Sequence, residues 1–118
     1  AYRIDTRDEI VPALNRGGRA SFANAGATRR EGIEVGAWMP FGERWTATLA
    51  ASWVDARFEE DFAFVVQNET RRVSAGNRMP GIPRTDLFAE LAWRAPEGRW
   101  STALEARAVG RIAVDDRN

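Results

Sequence analysis

Histidine, cysteine and lysine are all absent from this 118-residue chain. Without cysteine there is no disulfide, no thiolate nucleophile and no cysteine-ligated zinc. Without histidine there is no Ser-His-Asp triad, no facial-triad iron site and no imidazole proton shuttle. Catalysis would have to run on carboxylates and arginine alone, so the composition argues against an enzyme and names no metal or cofactor. All 17 basic residues are arginine, and 17 acids balance them to a formal net charge of zero. A nucleic-acid binder carries a basic excess, which is missing here. No run approaches the ~18–20 consecutive apolar residues of a membrane helix. The opening residues Ala1-Tyr2-Arg3-Ile4-Asp5 also lack the apolar stretch of a signal peptide.

What is present is alternation. In residues 45–55, Trp45, Ala47, Leu49, Ala51 and Trp53 oppose Thr46, Thr48, Ala50 and Ser52, which makes a strand with one greasy face. Residues 85–94 repeat the design, with Leu87, Ala89, Leu91 and Trp93 against Asp86, Phe88, Glu90, Ala92 and Arg94. Residues 100–114 extend it, with Trp100, Thr102, Leu104, Ala106, Ala108, Gly110, Ile112 and Val114 on one side. Weaker alternation covers residues 29–39, where Trp38 falls on the polar side, and residues 2–11. The expectation is an all-β chain, an antiparallel up-and-down meander of about five strands. A helix through the Ala-rich residues 102–108 would scatter Glu105, Arg107 and Arg111 without a clean stripe.

The connections sort by length. Residues 40–44 and 95–99 are short Pro/Gly turns, whereas residues 12–27 and 58–83 are long and polar. Short turns at one end and long loops at the other mark a transmembrane β-barrel, whose alternating strands also leave mean hydropathy unremarkable, here −0.43. Within the second loop, residues 62–66 and 70–73 are expected to form a hairpin. Phe41, Trp45, Trp93 and Trp100 cluster near the short turns, as an interfacial aromatic girdle would. Trp53 lies eight residues beyond Trp45 on the same face. At ~3.3 Å per residue and a tilt of ~40° that is roughly 20 Å, close to the ~25 Å apolar band of such barrels. The competing account is a small soluble antiparallel β-sandwich or barrel binding module, with loops of similar length and its tryptophans in a core.

Four ordered motifs narrow the choice. Asn24-Ala25-Gly26-Ala27-Thr28-Arg29-Arg30-Glu31-Gly32-Ile33-Glu34 resembles the NAG-x-TRR-x-G-[IV]-E signature of TonB-dependent outer-membrane receptors, especially the ferric-siderophore branch. The strand at residues 2–11 resembles the one preceding that signature. Ala51-Ser52-Trp53-Val54-Asp55-Ala56-Arg57-Phe58 is similar to the strand end that follows it. Gly76-Asn77-Arg78-Met79-Pro80-Gly81-Ile82-Pro83-Arg84 is similar to the later G-N-x-[LM]-P-G-[VI]-P loop element.

The resemblance implies a segment from the C-terminal half of a large plugged barrel in the outer membrane of a Gram-negative bacterium. Residues 1–118 are then expected to be a partial barrel, without plug or closure. Its implied partners are outer-membrane lipid and, through the full-length receptor, a ferric siderophore and TonB. An isolated segment is expected to self-associate through open edges and its apolar face.

Physical roles follow for single residues. Gly26 and Gly32 permit bends or close packing, Pro80 and Gly81 make a turn, and Arg29 or Arg30 is expected to pair with Glu34 across a polar inner face. Arg71, Arg72 and Arg78, beside Phe62 and Phe64 in the second long loop, are candidate ligand residues for an anionic chelate; solvated loop charge is the plainer account. Glu90 and Glu105 are expected to face each other within a charge network that includes Arg94 and Arg107. Glu59-Glu60-Asp61 and Asp115-Asp116 lack the ligand spacing of a calcium loop. Asn68-Glu69-Thr70 fits a glycosylation acceptor, a pattern of little specificity, and Gly17-Gly18 is loop punctuation.

Overall fold

A computed structural model describes residues 1–16, 19–66 and 69–118; Gly17-Gly18 and Asn68 lie outside the described residues. The described residues form nine strands: β1 (Tyr2–Thr6), β2 (Ile10–Arg16), β3 (Arg19–Asn24), β4 (Thr28–Phe41), β5 (Trp45–Phe58), β6 (Phe62–Val66), β7 (Glu69–Val73), β8 (Thr85–Arg94) and β9 (Ser101–Val109). Five of them build one antiparallel sheet in the order β1-β4-β5-β8-β9. The remaining four pair locally, β2 with β3 and β6 with β7. With those two hairpins set aside, the sheet follows chain order, and the expected five-strand meander holds.

The chain divides into two compact units. One comprises Gly32–Val54 and Pro83–Arg111. There, β5 and β8 pair from Trp45↔Trp93 to Trp53↔Thr85, and β8 and β9 from Asp86↔Val109 to Arg94↔Ser101, without a bulge in either ladder. The turn after β8 is closed by Ala95 N–H donating to the Trp100 carbonyl at 2.8 Å and Gly98 N–H donating to Ala95 at 2.9 Å.

The other unit comprises Ala1–Glu31, Asp55–Ile82 and Ile112–Asn118. It holds every buried apolar side chain among the described residues: Ala25, Ala56, Phe58, Val73 and Met79. Phe58 is 1% exposed and meets Phe62 at 4.9 Å between ring centroids. Thr28, buried with them, donates its hydroxyl to Glu9 at 3.0 Å and so meets the requirement of a buried polar group.

Three boundaries differ from the alternation. The first strand does not run to residue 11: Asp8 takes a positive φ of 56°, and its carboxylate accepts from the Asn24 side-chain amide at 3.2 Å. The chain then enters the β2–β3 hairpin, where an open loop was expected. Pro12 has no N–H to give a ladder, and the register shifts between Pro12 and Leu14. The last strand ends at Val109 and does not reach residue 114. Beyond it the chain is tied differently, with Ala113 accepting from Gly81 N–H at 3.0 Å and Asp116 from the Asn77 amide at 2.9 Å.

The second hairpin was legible: β6 and β7 pair from Phe62↔Val73 to Val66↔Glu69. So was the Pro80-Gly81 turn, where Gly81 adopts φ 78°, the left-handed value a type II turn asks of its third residue.

Candidate functional site

The pairing in the unit with the long ladders brings the alternating faces into rows. Trp45, Trp93 and Thr102 share one row; Ala47, Leu91 and Leu104 the next; then Leu49, Ala89 and Ala106; then Ala51, Leu87 and Ala108. Every member is apolar except Thr102. None of these side chains is buried, and Leu49, Leu87, Leu91 and Leu104 count among the exposed large hydrophobics, Leu104 at 74%. A water-soluble sheet would cover such a face with a second layer. No buried apolar side chain among the described residues belongs to this unit.

The opposite face is concave. Glu34, Ser52, Asp86, Phe88, Glu105 and Arg107 line a concavity of about 820 Å³. Arg107 Nε donates to Asp86 Oδ1 at 3.0 Å, and its Nη2 reaches the second carboxylate oxygen. Glu90 and Glu105 stand directly opposite each other in the β8–β9 register, as expected. Thr48 donates its hydroxyl to Glu90 at 3.4 Å. The expected network thus splits: Arg107 serves Asp86, and the two glutamates face each other.

The aromatic residues gather at the short-turn end. Phe41 stacks on Trp45 with centroids 6.2 Å apart and planes 7° from parallel, and Trp45 meets Trp93 at 6.4 Å. Trp100 stands at the end of the following turn, 76% exposed. Trp53 marks the other end of the row and carries the Arg84 guanidinium 5.8 Å from its ring centroid. Trp38 is 68% exposed.

The loop candidates separate. The β6–β7 register sets Phe64 opposite Arg71 and Phe62 opposite Val73, so both rings and Arg71 share one hairpin face. Phe62 and Phe64 lie 6.1 Å apart, stacked. Arg72 pairs with Ala63 on the other face. Arg78 joins neither: its guanidinium lies 3.7 Å from Asp55, and its backbone is tied to the Asn118 side chain.

The arginines of the signature meet Asp5, Glu59 and Glu9 in place of Glu34. Arg29 reaches Asp5 at 2.8 Å and Glu59 at 2.9 Å, and Arg30 reaches Glu9 at 2.9 Å. Asp5 therefore titrates below the usual carboxylate range, through hydrogen bonds from Arg3 and Arg29. The acidic runs are likewise engaged in protein contacts. Glu59 pairs with Arg29, Asp61 accepts from Ala75 N–H at 2.7 Å, and Asp115 accepts from Arg117 N–H at 2.9 Å. That backbone hydrogen bond holds the Asp115 carboxyl below its ordinary value.

Sequence reasoning missed Arg84 as the partner of Trp53 and Glu9 as the acid beneath Thr28 and Arg30. Neither has a periodic signal, because both stand where the chain leaves the regular alternation. Compared with protein families, residues 1–118 match the model described as "TonB dependent receptor-like, beta-barrel".

Proposed function

Because the chain belongs to the TonB-dependent receptor β-barrel family, a family of outer-membrane receptors and transporters and not of enzymes, we propose that it is part of the barrel wall and outer loops of a receptor importing ferric-siderophore-type chelates. Its place is the outer membrane of a Gram-negative bacterium, and its energy arrives through TonB. The observation that carries the wall reading is the unit with four apolar rows and no buried apolar side chain among the described residues. Lipid is the solvent in which those rows are at no disadvantage, while the polar concave face meets water or other protein. A soluble sandwich would have placed Trp45 and Trp53 in a core, yet both are exposed.

Among the described residues the five-stranded sheet leaves β1 and β9 each with an unpaired edge, so barrel closure draws on strands beyond these five. Within the wall, Phe41, Trp45, Trp93 and Trp100 form the girdle at the short-turn interface, and Trp53 marks the opposite one. On the outer side, Phe62, Phe64 and Arg71 offer a flat aromatic surface beside a guanidinium, suited to an anionic, ring-bearing chelate. Removed from the membrane, the segment self-associates, and a monodisperse monomer by light scattering without detergent would count against this.

The test of function is uptake. Cells lacking their own ferric-chelate receptors and expressing the receptor that carries this segment should import one ferric siderophore in a TonB-dependent manner. Arg71→Ala should weaken binding of that chelate more than Arg72→Ala. TonB-dependent import of a cargo other than an iron chelate would overturn the substrate and leave the wall reading standing.

A further inference from the structure

We propose that Arg84, laid over Trp53, binds the phosphate of an anionic lipid headgroup at the rim opposite the short turns. The inference rests on the wall reading above and goes beyond it to a specific lipid contact. Trp53 pairs with Thr85 in the last step of the β5–β8 ladder, so it stands where the apolar rows end. Arg84 is fixed one step further on, its carbonyl accepting from Val54 N–H at 2.9 Å and its own N–H donating to Arg111 at 3.1 Å. Strict alternation from Thr85 would send the Arg84 side chain to the concave face. The chain bends at Arg84, and the guanidinium instead lies 5.8 Å from the Trp53 ring centroid.

Charge supplies the second argument. Among the described residues Arg84 has no carboxylate within ion-pair distance, and it is exposed. The nearest acid along the chain, Asp86, is taken by Arg107. An uncompensated guanidinium at a lipid–water boundary attracts an anion, and phosphate matches its forked donors in pairs. The site borders the apolar rows on one side, so its natural occupant carries acyl chains as well as a phosphate.

The receptor carrying this segment is reconstituted into phosphatidylcholine vesicles with and without phosphatidylglycerol. After gentle detergent extraction, native mass spectrometry counts the lipids retained. The unaltered protein should keep phosphatidylglycerol in preference to phosphatidylcholine, and Arg84→Gln should lower that retention about fivefold. Trp53→Leu, which keeps the Arg84 charge, should give a smaller loss, and Arg94→Gln at the other rim should give none. Equal retention by Arg84→Gln and the unaltered protein overturns the proposal. Displacement of the lipid by inorganic phosphate also overturns it, since the site would then be one for the free anion. If no form of the protein resists carbonate extraction from the vesicles, the wall reading falls and takes this inference with it; insertion with equal retention sinks the lipid site alone.

Discussion

Glu90 on β8 and Glu105 on β9 stand directly across from each other on the concave face, and among the described residues only the Thr48 hydroxyl is hydrogen-bonded to the pair. Like charges opposed in a ladder are destabilising, and here the neighbouring cation is turned toward Asp86. Replacing one of them, Glu105→Gln, should stabilise the wall by up to about 1 kcal/mol. The gain should shrink as salt screens the repulsion, which urea titration of lipid-inserted protein at two ionic strengths would measure.

The two faces predict opposite tolerance to charge. Leu91 lies in the second apolar row and Ala92, its neighbour, on the concave side. Leu91→Arg should cost about 2–4 kcal/mol in a bilayer, whereas Ala92→Arg should cost little. Equal costs for the two, measured by the same titration, would contradict the assignment of faces.

Phe58 anchors the other unit. It is 1% exposed and packed on Phe62. Phe58→Ala should cost about 3–5 kcal/mol. Amide exchange should rise first in β6 and β7, which the Phe58–Phe62 contact holds, while the β8–β9 amides stay protected.

Gly26 combines a φ of 67° with the Glu60 carboxylate lying where a Cβ would stand. Gly26→Ala should therefore destabilise chiefly through its left-handed backbone, about 1–2 kcal/mol, because the Glu60 carboxylate ends a flexible, exposed side chain that can turn aside. Adding Glu60→Ala removes the overlap and should recover little of that cost. A double-mutant cycle read by thermal unfolding measures the recovery.

Acid should loosen the Asp5 cluster. The folded-state value of Asp5 is depressed, so its stabilising contribution is complete above the ordinary aspartate value of about 3.9 and disappears as pH falls through the lowered one. Protection of β1 amides should decline over that acid window. Asp5→Asn should remove that part of the decline.

Much of this was legible because a barrel wall is a periodic object. The rows through Trp45, Leu49 and Leu91 alternate strictly, so their strands, faces and short turns could be read from spacing alone. The four motifs then pointed to the family. What escaped were departures from period two. The first strand stops short of Asp8, whose carboxylate accepts a hydrogen bond from the Asn24 side-chain amide, a contact across 16 positions that no local pattern reports. The β2–β3 hairpin hid behind Pro12, which argues against a strand until its bulge is known. Residue type alone does not distinguish the candidate ligand residues; register separates Arg71, beside Phe64, from Arg72 on the reverse face. Arg78 looked available in the sequence because its partner Asp55 is remote along the chain.

Both hairpins, β2 with β3 and β6 with β7, satisfy their backbone ladders internally. Among the described residues the β5–β8 and β8–β9 ladders take no pairing from them. Lengthening, shortening or exchanging either hairpin thus need not slip a single pairing in those strands. Such a scaffold can be inherited unchanged while its hairpins diverge, and recombination between related genes could exchange one hairpin for another without a new folding problem to solve.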